Sequence, residues 1–347
     1  MSAYNILTVD QIDRSQLAEF LNSVYRRPKN EFLHSCAEWW HRGNQNRWAI
    51  LADGIIAGYF GVIPTICLIN GVQEPAWWWV DLVVAPEFRG QGLETLLDRE
   101  VRKNSKVKLG FPNELASKIH RKHGWGLRED LQVLMLPLRP LNMKKVRKAS
   151  DFRAFLLRLA ALALTPLASI GHQCLRRYTP LTAKAVELLS PDVFEAVFEK
   201  YRRDNMVTTY RDPEFFGWRY LEAPYRSELA FYIAGPCSCP THFLIARHAS
   251  SMGVKTTRIL DVFGDFHDRE NLADILKLTV KDALLQGSSQ VTILVTLPEL
   301  RSVLRSIGFV IGAKVRFCWH GPSQPIMRSL SGRTYWTLAD SDNDTEE

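Results

Sequence analysis

Arg89, Gly90, Gln91 and Gly92 lie between an apolar run and an amphipathic one, and their types suit one task, holding an anion. Glycine takes up left-handed backbone conformations freely, so a turn with two of them can aim successive N–H groups at one point. Leu93 then opens a helical pattern, with Leu93, Leu96, Leu97 and Val101 on one face and Asp98, Arg99, Arg102 and Lys103 on the other. The unpaired amides at a helix start, with the positive end of its dipole, make a phosphate site. Arg89 adds charge there and Thr95 a hydroxyl. Two other phosphate loops are excluded. No Gly-Lys-Ser/Thr follows Gly92, and the third glycine of a dinucleotide fingerprint would fall at Thr95.

Two titratable residues stand near this loop. Asp81 lies in the strand-like run Trp77–Val84, where alternation puts it on the face of Trp77 and Trp79. Burial beside indoles would raise its pKa and suit it as a general base. A purely structural carboxylate is the competing reading, because Asp261 recurs in Ile259–Phe263 with no glycine loop behind it. An imidazole such as that of His120 has an unperturbed pKa near 6.5 and can exchange a proton near neutrality. The alternative is a partly exposed histidine among Lys118, Arg121 and Lys122. Glu87 is a weaker candidate. The six cysteines form no framework, and Cys237-Ser238-Cys239 lacks a second ligand pair at zinc spacing, so no metal is expected.

The elements that must position these residues follow from periodicity. Residues 12–27 and 30–42 read as helices. Asp53-Gly54 and Asn70-Gly71 are type I′ hairpin signals, between Trp48–Ala52 and Ile55–Val62 and then between Thr65–Ile69 and the Trp77–Val84 strand. The glycine loop therefore follows an antiparallel meander. After its helix come a strand at Lys106–Phe111, a helix at Pro112–His123 stopped by Gly124, and a strand at Asp130–Leu136.

This order resembles the GNAT acyltransferase superfamily. The acyl-CoA loop of that family reads Gln/Arg-x-x-Gly-x-Gly/Ala; here it is Arg89-Gly90-Gln91-Gly92-Leu93-Glu94, with Glu94 the departure. The next helix of the family tends to carry Asn-x-x-Ala-x-x-x-Tyr-x-x-x-Gly-Phe, and Asn113, Ala116, His120, Gly124 and Trp125 match that spacing with histidine in the tyrosine position. The resemblance covers about residues 4–138. It implies acetyl-CoA or another acyl-CoA as co-substrate, with its pyrophosphate on the amides from Gln91 through Gly92, Leu93 and Glu94 to Thr95. Arg89 and Gly90 would complete that loop, and Asn113 belongs to the second motif. The pantetheine arm would pair as a pseudo-strand with Leu82, Val83, Val84 and Ala85. It also implies an amine acceptor, with His120 in the place of the family's acid and Asp81 as a candidate base.

From about residue 190 the pattern repeats. Helical signals at Val193–Phe198 and Pro213–Leu221 precede strands at Phe231–Ala234, Thr241–His248 and Ile259–Phe263. A helix at Asn271–Leu285, a strand at Gln290–Thr296 and a helix at Pro298–Ile307 follow, ending in Gly308-Phe309. This second copy lacks Arg-Gly-x-Gly and has Leu304 in the place of His120, so it should bind no acyl-CoA. The expected fold is α+β (mixed α/β): two GNAT-like domains, each a mostly antiparallel twisted sheet flanked by helices. Residues 1–138 form the acyl-CoA domain and 191–336 the degenerate copy; 139–190 form a basic and apolar connector, and 337–347 an acidic disordered tail. The connector reads either as a helix packed between domains or as a membrane-surface anchor over residues 144–177.

The chain has 347 residues and a net charge of +7, which suits anionic ligands. The N-terminus resembles no signal peptide, and the longest apolar run, Leu159–Ile170, is too short to span a bilayer, so a cytoplasmic location is expected. The resemblance to two-unit members of the family further implies a small acceptor, such as an amino sugar or amino acid in cell-surface polysaccharide assembly, and nucleic acid is not expected. Two alternatives stand beside this: a Fem-type transferase using aminoacyl-tRNA, and a non-catalytic GNAT-like binding protein.

Overall fold

The computed structural model describes residues 4–104, 107–143, 152–236, 238–251 and 253–341. Asp53, Gly54, Asn70 and Gly71 all have positive φ, the geometry that matches the twist of a two-residue hairpin. They join β2 (Arg47–Ala52), β3 (Ile55–Ile69) and β4 (Val72–Val84), and β1 (Tyr4–Thr8) adds outside β2. The two segments read from the sequence as Ile55–Val62 and Thr65–Ile69 are one strand. Pro64 between them lies beyond the last β2 pair, at Gly61, where β3 can accept a residue with no N–H to donate.

Helices α1 (Arg14–Val24) and α2 (Arg27–Trp40) cover one face of this meander, where Phe20, Leu21, Leu33 and Ala37 pack on Ala49, Tyr59 and Ala85. On the other face lies α3 (Leu93–Asn104), with Leu93 and Leu97 fully buried against Ile50, Phe60 and Trp79. Each such leucine contributes about 1.5–3 kcal/mol. β5 (Val107–Gly110) follows, then α4 (Glu114–Lys122), capped by Asn113 Oδ1 accepting from the Ala116 amide at 2.9 Å. β6 (Gly126–Pro137) closes the first half of the chain.

A long helix, α5 (Phe152–Arg177), runs through Pro166 without a break and leads to β7 (Lys184–Val186). The second half then runs α6 (Pro191–Tyr201), β8 (Val207–Thr209), α7 (Pro213–Phe216), β9 (Leu229–Ala234), β10 (His242–Ser251), β11 (Val254–Gly264), α8 (Arg269–Leu285), β12 (Gln290–Val295), α9 (Pro298–Ile307) and β13 (Val310–His320). α10 (Gln324–Ser331) and β14 (Thr334–Tyr335) end it.

The two halves form two lobes that share one mixed, mostly antiparallel sheet, ordered β1-β2-β3-β4-β5-β13-β6-β12-β11-β10-β9-β7. β4 and β5 are parallel, as are β11 and β12. Each lobe then lends its closing strand to the other: β13 pairs with β5, and β6 pairs with β12. β6 and β13 pair with each other at the centre.

The expected disordered tail is ordered at its start. Leu338, Ala339, Asp340 and Ser341 are buried, because Arg211 reaches the Asp340 carboxylate at 3.4 Å and the Ala339 carbonyl accepts from Arg219 at 2.7 Å. Residues 342–347 of that tail lie outside the described residues.

Candidate active site

Strand β4 parts from its parallel neighbour after three pairs, Ala76 with Val107, Trp77 with Lys108 and Trp78 with Leu109. Beyond Trp78 the two backbones diverge around a cavity of about 520 Å3. Its walls are Trp79–Leu82 of β4 and Gly110–Asn113, with Ala116 and His120 from α4 and Tyr25 and Lys29 from the other face of the sheet. Lys314, Val315 and Arg316 complete it. Those three belong to the second lobe and arrive through the exchanged strand β13.

Asp81 sits in a bulge of β4. Tyr59 faces Val83 and Gly61 faces Val80, so Asp81 and Leu82 together oppose Phe60. The φ of Asp81 is +59°. The extra residue corrects the expected placement: Trp77, Trp79, Leu82 and Val84 face α3, while Val83 and Ala85 face α1 and α2, and Asp81 has moved to that second side. There its carboxylate pairs with Lys29 Nζ at 2.6 Å and His41 Nε2 at 3.2 Å, and its carbonyl accepts from Tyr25 Oη at 2.7 Å. His41 Nδ1 meets the Val62 carbonyl at 3.1 Å. The imidazole takes the space of a side chain at Gly61, where an added Cβ would lie 2.2 Å from His41 Cε1.

The expected rise in the Asp81 pKa is also corrected. Burial pushes it up, but the Lys29 charge and the His41 contact outweigh burial and hold the carboxyl well below the usual range. Asp81 is an ionised anchor facing Lys29 and His41, which suits it poorly as a base that collects a proton at neutral pH.

His120 lies in the cavity wall, its ring 5.6 Å from that of Trp79 and 4.4 Å from that of Trp125. Burial pushes its pKa down to about 4, against a weaker upward pull from Asp98. At neutral pH His120 is therefore the uncharged imidazole, not the imidazolium expected of an acid.

The glycine loop lies past the far end of the same strand. Gly90 and Gly92 have φ of +76° and +77°, and no atom lies within 4 Å of a Cβ placed on either. The Thr95 amide bonds back to the Gly92 carbonyl at 3.0 Å. Among the described residues, none accepts from the amides of Gly90, Gln91, Gly92, Leu93 or Glu94. Side chains brace the loop from outside: Tyr4 donates its hydroxyl to Gln91 Oε1, and Gln91 Nε2 donates to the Glu87 carbonyl at 3.2 Å. Arg89 turns back, its Nε donating to the Val84 carbonyl at 3.1 Å, so that main-chain acceptor is already engaged. Thr95 Oγ1 lies 3.3 Å from His123 Nε2, and His123 Nδ1 lies 3.9 Å from Asp98.

The structure thus brings Leu82, Asp81, Asn113 and His120 to one cavity and sets Arg89–Thr95 at the loop beyond Val84. Asn113 is there as a helix cap. Sequence reasoning missed Tyr25, Lys29, His41, His123, Lys314 and Arg316. One signal was available: a glycine inside an apolar strand, Gly61, marks a close approach by another group.

No protein-family model matches the sequence, and no curated protein does. Solved structures do. A yeast (Saccharomyces cerevisiae) N-myristoyltransferase with bound myristoyl-CoA superposes with a TM-score of 0.63 at 14% identity, covering 94% of this chain and 80% of that one. A GCN5-related N-acetyltransferase from Anabaena variabilis gives 0.58 at 14% identity, covering 91% and 72%. A probable N-acyltransferase from Enterococcus faecalis gives 0.58 at 10%, covering 95% and 74%. This chain has the fold of the GNAT acyltransferases in a two-lobed arrangement similar to that of N-myristoyltransferase.

Proposed function

We propose that the first lobe transfers an acyl group from acyl-CoA to an amine. One observation carries the reading: a single strand, β4, joins a loop of open amides to a cavity where that strand has left its neighbour. The pyrophosphate would take the amides of Gln91–Glu94, the Thr95 amide being held by the Gly92 carbonyl. The pantetheine arm would lie along Leu82 and Val83 by main-chain pairing, with Val84 contributing less because Arg89 holds its carbonyl. The thioester then falls beside Trp79 and His120. A C–N bond forms, the C–S bond breaks, and one proton moves from the amine nitrogen to the thiolate. A neutral His120 is suited to relay that proton, accepting it from the cationic nitrogen of the tetrahedral adduct and giving it to sulfur. Lys314 brings a cation to the acceptor side of the cavity, where Arg316 is paired with Glu129 at 3.2 Å, and a cation there favours an amine that also carries an anionic group.

The test is thermal unfolding with acetyl-CoA, longer acyl-CoAs and free CoA, repeated on Gly92→Trp. Ligand at a hundred times its dissociation constant stabilises the fold by about 2.7 kcal/mol, and the variant should lose that gain. If no CoA species raises the melting temperature, the reading is wrong. Salt-dependent tRNA binding in that case would favour the aminoacyl-tRNA alternative.

A further inference from the structure

Among the described side chains of helix α5, Ala161 is covered by the protein and a set of leucines on another side is exposed. Ala161 is buried in a small cluster with Met143 and Met135, and the Tyr178 hydroxyl that follows the helix bonds to Asp274 of α8. At 3.6 residues per turn, Leu156, Leu159 and Ala163 fall on the face opposite Ala161, with Leu162 at its border. Leu156, Leu159 and Leu162 are 51%, 46% and 54% exposed. Three leucines left in water on one helix of 26 residues form a stripe of the kind that marks an interaction surface.

Charge identifies the occupant. Residues 144–177 contain eight Lys or Arg and a single acidic residue, Asp151. The chain has 44 basic and 37 acidic residues, so the rest of it holds 36 of each and sums to zero. The whole net charge of +7 is concentrated on this helix and its N-terminal flank. Arg158, Arg176 and Arg177 are exposed along it. No helix among the described residues is long and apolar enough to cross a membrane. An exposed apolar stripe bordered by cations, on a helix about 39 Å long, fits the headgroup boundary of a bilayer.

We propose that α5 docks the protein on an anionic membrane surface, with Leu156, Leu159 and Leu162 entering the acyl boundary and Arg158, Arg176 and Arg177 meeting lipid phosphates. Each cation near such a surface contributes about 1 kcal/mol. This reading does not rest on acyl transfer, since vesicle binding requires no CoA.

The experiment is sedimentation of the full chain with vesicles of phosphatidylcholine alone and of phosphatidylcholine mixed with phosphatidylglycerol. Binding to the mixed vesicles, weakened by salt, is expected. Leu156→Glu/Leu159→Glu/Leu162→Glu should weaken it by roughly a hundredfold, and Arg176→Glu/Arg177→Glu by roughly tenfold or more. All five substitutions are at exposed positions, and unchanged melting temperatures would verify folding. Absence of binding to phosphatidylglycerol vesicles at low salt overturns the proposal. So does a leucine variant that binds as well as the parent. If the leucine variant instead abolishes a concentration-dependent dimer and leaves vesicle binding intact, the stripe belongs to a second copy and the proposal fails.

Discussion

Trp39 and Trp218 each donate the indole N–H to the main-chain carbonyl of the other, at 2.9 and 2.8 Å. Trp39 lies in α2, and Trp218 lies in the turn after α7 that occupies the same place in the second lobe. The reciprocal pair fastens one lobe to the other. Arg42 strengthens the contact by reaching over the Trp218 ring to Glu214. Replacing either tryptophan by phenylalanine keeps most of the packing and removes one donor, so each should lower unfolding free energy by about 1 kcal/mol. The double variant should depart from the sum by about 0.5 kcal/mol or more, as contacting residues do. Chemical denaturation of the four proteins measures both quantities.

Asp81→Asn keeps a residue tolerant of positive φ and deletes the charge. The carboxylate that faces Lys29 and His41 in this buried site is then lost, which should cost about 3–5 kcal/mol. Gly61→Ala attacks the same cluster indirectly, because the new methyl collides with the His41 ring. It should cost about 1–3 kcal/mol. Urea denaturation reads both, and a Gly61→Ala protein as stable as the parent would show that His41 is not held where it is found.

Acidification should destabilise the fold through His120. Its folded pKa of about 4 is below the unfolded value near 6.5, so between those limits the unfolded chain binds a proton that the folded chain refuses. The contribution is complete above pH 6.5 and shrinks as pH falls toward 4. At pH 5 the loss relative to pH 7 is about 2 kcal/mol. His120→Gln should flatten that part of the pH profile. Asp81 has its pKa depressed below the carboxylate range, so its contribution is lost only in stronger acid and does not overlap this window.

Gly92→Ala should cost about 1–2 kcal/mol, because its φ of +77° is unfavourable for any residue with a Cβ. Nothing lies within 4 Å to clash with the methyl, so the loss is conformational and the fold survives. Differential scanning calorimetry with and without acetyl-CoA separates this stability loss from any change in ligand affinity.

What could be read from the sequence was local. Asp53-Gly54 and Asn70-Gly71 specify their turns through their own backbone preferences, and Arg89–Leu93 specifies a glycine loop opening a helix. The state of Asp81 could not be read, because alternation fails at a bulge and the partners, Lys29 and His41, lie 52 and 40 residues away in the chain. His120 had the right spacing, but its charge depends on rings packed around it. The strand Val310–His320 went unread because its alternation is broken by Gly312-Ala313, and its neighbours come from the other half of the chain.

That exchanged strand has a consequence for how the molecule is made. Gly110 must wait for Cys318, which emerges from the ribosome about 200 residues later. Until then β5 and β6 have open edges that invite pairing with other chains. Assembly should be slow, with most of the delay set by this late insertion. Severing the chain within 139–190 would yield two fragments, each missing the other's closing strand, that become orderly only when mixed.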